Sequence, residues 1–239
     1  MINIYVALVF LPLAAAIVAG FFGRLIGDRA AMLVTCLGVT LSALISFVVL
    51  YQVGMQGRVE IVHLFTWIDS QAFEVSWVLR FDQLTAVMLI VVTGVSALVH
   101  WYSIGYMSHD GSKPRFFAYL SLFTFMMLML VTADNFVQMF FGWEGVGLCS
   151  YLLIGFWYDR PSANAAAIKA FIVNRIGDFG FALGIMAIFL IFKAVDFDTV
   201  FAAAPDFAGK SLDFLGTDVD ILTLITLLLF VGAMGKSAQ

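Results

Sequence analysis

The sequence predicts an all-α bundle of transmembrane helices, with about seven spans and one small β-hairpin. Of the 239 residues, 63% are hydrophobic and only 12% are charged, and the mean hydropathy is +1.03. Soluble domains carry roughly 25% charged residues. The apolar residues are also grouped into runs of about 20, the length that crosses a bilayer. A polytopic membrane protein is therefore expected. The net charge of −4 rests on too few charges to indicate a partner, and without a basic patch no nucleic-acid partner is expected.

The apolar runs set the predicted spans, which cover residues 4–22, 31–51, 84–106, 116–133, 135–158, 163–192 and 221 onward. The first run is followed by Arg24 but not preceded by a basic segment, so we expect a retained span and not a signal peptide. Spans four and five are separated only by Asp134, which predicts a tight antiparallel pair with Asp134 as N-cap of the fifth helix. Glycines near Lys236 predict that the seventh helix is discontinuous.

We divide residues 1–239, the expected N-terminal part of a longer subunit, into five segments. These are spans one and two (1–52), an outer loop (53–81), spans three to six (82–192), an outer acidic loop (193–220) and a truncated seventh span (221–239). In the first outer loop, apolar and polar residues alternate on both sides of Asp69-Ser70-Gln71, which predicts a β-hairpin. The second outer loop is rich in aspartate and is expected to be solvated.

The basic residues of the short loops set the predicted orientation. Arg24, Arg29, Lys113, Arg115 and Arg160 all fall on one side, which the positive-inside rule assigns to the cytoplasm. The N-terminus is then periplasmic in a bacterial inner membrane, or faces the intermembrane space if the protein is mitochondrial.

Two charges are isolated within apolar runs. Glu144 is the only ionisable acid or amine between Asp134 and Asp159, and Lys236 is the only charge from Ile221 onward. Charges near the middle of a bilayer cost several kcal/mol and commonly mark ion pathways. A buried Glu144–Lys236 pair would act as a proton switch. The alternatives are a structural glutamate bonded across a helix pair and a lysine that reaches the membrane surface.

The sixth and third spans carry further candidates for a proton path. Arg175 and Asp178 share one face of the sixth helix, and Lys169 lies about 9 Å from its cytoplasmic start. Together they suggest a polar route from the cytoplasm to the midplane, whereas an internal Arg175–Asp178 pair is the alternative. His100 could relay protons, although a lone histidine in an apolar helix is more often a satisfied core residue.

No redox cofactor or metal is expected in this chain. Cys36 and Cys149 lie in apolar runs without metal-ligand spacing, and the sequence has no dinucleotide-binding, phosphate-binding or iron–sulfur motif.

Four stretches resemble the subunit L family of antiporter-like membrane subunits from NADH:quinone oxidoreductase, or respiratory complex I. They are His100–Met107 with Phe116–Phe123, Gly142–Trp157 with its Trp-Glu-Gly-Val-Gly motif, Lys169–Gly180 with its Asn-Arg-Ile-Gly-Asp motif, and Gly232–Gln239. The resemblance implies a proton translocase in which Glu144 pairs with Lys236, and a coupling role for Arg175 and Asp178. It also implies partner subunits of the membrane arm, with FMN, iron–sulfur clusters and quinone held by other subunits.

Two other classes stay open at this point. One is the large subunit of a multisubunit cation/proton antiporter, and the other is a purely structural membrane subunit.

Overall fold

The computed structural model describes residues 3–70, 73–214 and 216–237. The helices are α1 (Ile4–Ile26), α2 (Asp28–Val49, continued by a π-helical turn over Leu50–Met55), α3 (Gln83–Tyr106), α4 (Lys113–Val131), α5 (Phe136–Ile154), α6 (Pro161–Phe192), α7 (Phe197–Ala203, followed by a 3₁₀ turn over Ala204–Phe207) and α8 (Ile221–Lys236). The strands are β1 (Glu60–Ser70), β2 (Phe73–Phe81), β3 (Ser211–Phe214) and β4 (Thr217–Asp220).

The predicted spans are confirmed as helices. Within the described residues, α1 to α6 are each long and apolar enough to cross a membrane, and α8 is a shorter apolar helix of 16 residues. The fold class predicted from the sequence, a mostly α polytopic bundle with a small hairpin, is therefore confirmed. Helix α8 runs without interruption through Gly232 and Gly235 to Lys236, so the predicted discontinuity does not lie before Lys236. Residues 238 and 239 of the predicted span lie outside the described residues.

The connections gather at two ends of the bundle. At the basic end, the α1–α2, α3–α4 and α5–α6 connections meet: Lys113 pairs with Asp28 at 3.4 Å, and Arg115 donates to the carbonyl of Phe156 at 3.1 Å. The opposite end, the hairpin end, holds β1, β2 and the segment from α7 to β4. These contacts agree with the predicted spans, which place successive connections at alternate ends of the bundle.

The first outer loop forms the predicted antiparallel hairpin, β1 with β2. Its pairing register shifts twice in β1, and the turn expected around Gln71 lies outside the described residues. Val75 and Leu79 of β2 are buried. The side chain of Gln138 on α5 accepts from the backbone N–H of Val78 at 3.0 Å, and that of Asn135 donates to the carbonyl of Ser76 at 2.9 Å. The hairpin is thus fastened to the start of α5.

The prediction that Asp134 caps the fifth helix was wrong by one residue. Asn135 is the N-cap, since its side chain accepts from the backbone N–H of Gln138 at 2.8 Å. Asp134 instead accepts from Arg80 at 2.9 Å, and Arg80 also binds Asp198 at 2.8 Å. The hydrogen bond from Arg80 lowers the pKa of the Asp198 carboxyl, whereas burial raises the pKa of Asp134 despite the same arginine.

The second outer loop is more ordered than a solvated acidic segment. It contains α7 and a short hairpin, β3 with β4. Its aspartates serve local structure: Asp196 caps α7, Asp220 caps α8, and Asp213 accepts from the N–H of Gly216. Short polar elements of this kind lack the apolar periodicity from which elements are predicted.

Glycines bring the helices that carry the buried charges into close contact. A Cβ added at Gly177 of α6 would lie 3.2 Å from the Cα of Gly235 on α8. One added at Gly142 of α5 would lie 2.6 Å from the backbone nitrogen of Leu130 on α4. Small residues at helix crossings let backbones approach within a membrane. Helix α6 is thereby held close to α8, and α5 close to α4.

Candidate ion-translocation site

Four charged side chains from three helices come together at mid-span, three of them largely buried and that of Arg175 half-exposed. Glu144 is on α5, Arg175 and Asp178 are on α6, and Lys236 ends α8. We call these four residues the central cluster. Glu144 is the ninth of the 19 residues of α5, so it lies about 12 Å from the start of that helix. The cluster is therefore close to the middle of the spans, as expected for Glu144 from the sequence.

The partners within the central cluster differ from those that the sequence suggested. Glu144 accepts from Arg175 at 2.7 Å, and the Lys236 ammonium lies 4.0 Å from Asp178. Neither the direct Glu144–Lys236 contact nor the internal Arg175–Asp178 pair is formed in the described structure. Asp178 instead lies between Trp143 of α5 and Lys236 of α8, while the longer side chain of Arg175 reaches Glu144.

Trp143 fixes the position of Asp178 and was not singled out from the sequence. Its indole N–H donates to Oδ1 of Asp178 at 2.9 Å, and its ring stacks on Phe181 with centroids 4.8 Å apart. The Lys236 ammonium lies 5.7 Å from the centre of the same indole ring, within reach of a cation–π attraction. In the sequence, the one sign that Trp143 takes part in this cluster is that it directly precedes Glu144.

Gly147 makes room for the Lys236 ammonium. A Cβ at position 147 would lie 2.5 Å from Nζ of Lys236, closer than real Cβ contacts. The same ammonium is buried and has no hydrogen-bond partner among the described residues. Lys236 is therefore held by charge and shape alone, beside a carboxylate that is only 5% exposed. This arrangement suits a group that must change its proton or its partner.

A cavity of about 330 Å³ opens beside the central cluster. Glu144, Arg175 and Asp178 line it together with Asn174 and Gly147. Such a volume is large enough for several water molecules, and its lining supplies the polar partners that buried water needs. The cavity therefore offers a position for water next to both carboxylates.

His100 and Lys169 lie apart from the central cluster. His100 is fully buried between α3 and α4, where Nδ1 is 2.8 Å from the carbonyl of Ser96 and Nε2 is 3.0 Å from the hydroxyl of Ser121. Both ring nitrogens are thus engaged, as in a satisfied core histidine. Lys169 is exposed on α6 and does not line the cavity of the central cluster.

Metal ligation has no candidate in the described part of the chain. It contains no group of three or more histidine, cysteine, aspartate or glutamate side chains with the geometry for a metal ion. Cys36 and Cys149 are buried and unpaired with each other.

The helix bundle is that of the antiporter-like membrane subunits, as two family models and a solved structure indicate. The family model described as "NADH:quinone oxidoreductase/Mrp antiporter, TM" matches residues 133–239, and that described as "NADH-Ubiquinone oxidoreductase (complex I), chain 5 N-terminus" matches residues 67–117. A structure of the Mrp complex from Dietzia sp. DQ12-45-1b superposes with a TM-score of 0.81 at 19% identity, covering 99% of this chain and 24% of that one. At that identity the likeness shows the fold alone.

Sequence relatives narrow the assignment. NADH-quinone oxidoreductase subunit L of Rhodobacter capsulatus is 57% identical over 235 residues, which cover 95% of this chain and 33% of the relative. NADH-ubiquinone oxidoreductase chain 5 of Chondrus crispus is 52% identical over 235 residues, covering 98% of this chain and 35% of the relative. The chain belongs to this subunit L and chain 5 family, and it spans about a third of the length of these relatives.

Proposed function

We propose that this chain is part of a proton-translocating membrane subunit of an NADH:quinone oxidoreductase, and that the central cluster carries the protons. The observation that supports this most directly is the pairing of Glu144 with Arg175 and of Asp178 with Lys236 in mid-span. The charges of the two acids and the two bases cancel, and each charged group has an oppositely charged group beside it. Buried charges that lose a partner are strongly destabilised, so moving one proton biases the position of the others.

The proposed step uses Lys236 as the mobile site. While Asp178 is ionised, the Lys236 ammonium is stabilised at 4.0 Å. A proton that arrives at Asp178 through the cavity neutralises its carboxylate. The Lys236 ammonium then releases its own proton to water on the opposite side of the membrane. Transfer of the proton from Asp178 to the neutral Lys236 amine then restores the ion pair. The energy for this cycle comes from quinone reduction in partner subunits, which also hold FMN, iron–sulfur clusters and quinone.

Glu144 acts in this scheme by controlling Arg175. The guanidinium is half-exposed and is held by a single carboxylate contact of 2.7 Å. If Glu144 is protonated, Arg175 loses that partner and can turn toward Asp178, which is three residues along the same helix. The two ion pairs are therefore coupled through α6, and the direct Glu144–Lys236 contact expected from the sequence is replaced by a relay through Arg175 and Asp178.

The orientation is proposed from the loop charges. With the basic end in the cytoplasm, the hairpin end and the N-terminus face the periplasm of a bacterial inner membrane, or the intermembrane space in a mitochondrion. Neighbouring subunits of the membrane arm and the lipid bilayer are the expected partners.

The test is proton pumping by inverted membrane vesicles that contain the complete complex. Glu144→Gln keeps the shape of the side chain and removes its charge, so we expect NADH-driven acidification to fall by at least about tenfold. Glu60→Gln makes the same change in β1, outside the spans, and should pump normally. Wild-type acidification in the Glu144→Gln variant would refute the proposal.

A cation/proton antiporter is the second candidate, because the Dietzia Mrp structure shares the fold. The higher identity to subunit L, 57% against 19%, favours the oxidoreductase. Loss of an imposed lumenal acidification on addition of external Na⁺, without NADH, would favour the antiporter instead.

A further inference from the structure

A second cavity lies next to that of the central cluster, one helical turn closer to the basic end. It has a volume of about 440 Å³, and α4, α5 and α6 line it, as they do the first. Five of its lining residues have polar side chains: Arg115, Tyr119, Tyr151, Tyr158 and Asn164. We call it the inner cavity. A polar cavity of this size at the basic end is suited to hold water.

The two cavities follow one another along the same groove between α5 and α6. Leu148 lines the cavity of the central cluster and Leu152 lines the inner cavity. On α6, Phe171 lines the former and Ile168 the latter. Residues three or four apart share a helix face. The boundary between the cavities therefore falls at the level of residues 151 and 171.

An aromatic pair occupies this boundary. The rings of Tyr151 and Phe171 are 5.5 Å apart between centroids at an interplanar angle of 62°, which is an edge-to-face contact. The guanidinium carbon of Arg175 lies 5.2 Å from the centre of the Phe171 ring. A continuous series of contacts thus leads from the inner cavity, through Tyr151 and Phe171, to Arg175 and Glu144.

We propose that protons reach the central cluster from the basic end along this groove, and that the Tyr151–Phe171 contact is its gate, with the Tyr151 hydroxyl passing the proton. This proposal rests on the proposed function and adds its access route. The hydroxyl oxygen accepts a proton from water in the inner cavity and releases its own proton to water beside Glu144. One proton crosses, and the tyrosine is neutral before and after.

The route differs from the one expected from the sequence. Lys169 was expected to mark the cytoplasmic part of the path, but it is exposed and lines neither cavity. Tyr151, in contrast, lines the inner cavity and supplies a group that can both donate and accept a proton.

The first test is thiol accessibility in the complete complex. Leu152→Cys and Leu148→Cys each place a thiol in one cavity, and a membrane-impermeant cationic thiol reagent is applied to inverted vesicles, which expose the basic end. The mass shift of this chain reports labelling, with the wild-type chain as background for the buried Cys36 and Cys149. We expect labelling of Leu152→Cys, none of Leu148→Cys, and restored labelling of Leu148→Cys when Phe171→Ala is added. Equal labelling of both positions with Phe171 intact, or labelling only from the opposite face, would overturn the gate.

The second test separates the route from the proposed function. Tyr151→Phe keeps the ring and removes the hydroxyl, so NADH-driven acidification should fall by at least about tenfold while electron transfer from NADH to an artificial acceptor stays normal. Tyr102→Phe is the matched control, since Tyr102 is 73% exposed on α3. Normal pumping by Tyr151→Phe combined with impaired pumping by Glu144→Gln would overturn the route alone. Normal pumping by both would overturn the proposed function as well.

Discussion

Replacing Gly147 with alanine should disturb proton transfer without disturbing the fold. The added Cβ would lie 2.5 Å from Nζ of Lys236, whereas ordinary contacts begin at 3.4 Å, so the ammonium must retreat by about 0.9 Å. The obstructed atom is the end of a flexible side chain, which moves at little cost. Alanine also favours a helix by about 1 kcal/mol over glycine. The stability of the chain should therefore be kept.

The electrostatic consequence can be worked from the Lys236–Asp178 distance. For a retreat directed away from Asp178, two unit charges attract more strongly at 4.0 Å than at about 4.9 Å by about 0.8 kcal/mol, which is the upper limit of the effect at an effective dielectric constant of about 20. That difference corresponds to about fourfold in an equilibrium constant. We expect the pumping rate of the Gly147→Ala variant to fall, and by no more than about this factor.

Two other glycines provide the comparison for this prediction. A Cβ at Gly94 of α3 meets nothing within 4 Å, so Gly94→Ala should change neither pumping nor stability. A Cβ at Gly142 would meet the backbone of α4 at 2.6 Å, so Gly142→Ala should lower the thermal unfolding midpoint. The assays are NADH-driven acidification per complex and thermal unfolding in detergent. Normal pumping by Gly147→Ala would refute the reasoning. A lower thermal unfolding midpoint of this variant with normal pumping would refute it as well.

Three further changes test other parts of the account. Trp143→Phe keeps the ring on Phe181 but removes the donor to Asp178, a bond of about 1.5–3 kcal/mol, so pumping should fall by about tenfold or more; an unchanged rate would contradict a positioning role. His100→Gln should lower the thermal unfolding midpoint and leave pumping intact, because both ring nitrogens are engaged within the core; lost pumping at full stability would instead support a relay. The Asp198–Arg80 pair should stabilise α7 at pH values above the ordinary aspartate pKa of about 3.9. This stabilisation should be lost as the pH falls through the lowered pKa of Asp198. Hydrogen exchange of α7 against pH checks this, and Asp198→Asn should abolish the dependence.

The spans and the first hairpin could be predicted because their signals are local. An apolar run of 20 residues has few alternatives to a transmembrane helix, and the alternation around Asp69 has few alternatives to a hairpin. The N-cap of α5 is Asn135 and not Asp134, a difference of one residue. Sequence patterns rarely locate a helix boundary to a single residue. Helix α7 and the β3–β4 hairpin are too short to show a period.

The partners within the central cluster could not be predicted, although its four members were all found. Isolation in an apolar run identifies Glu144 and Lys236 without reference to other helices. Which carboxylate meets which base depends on how α5, α6 and α8 rotate against one another, and the close contact of Gly177 with α8 helps to set the rotation of α6. The space that Gly147 leaves for Lys236 is likewise visible only once α8 is in place.

The most direct test of the central claim is the number of protons moved per NADH oxidised by the complete complex carrying Lys236→Ala. Removal of the mobile site should lower this ratio, while Lys210→Ala, a lysine at the hairpin end outside the spans, should leave it at the wild-type value. An unchanged ratio in the Lys236→Ala variant, with the complex fully assembled, would contradict a proton path through the central cluster.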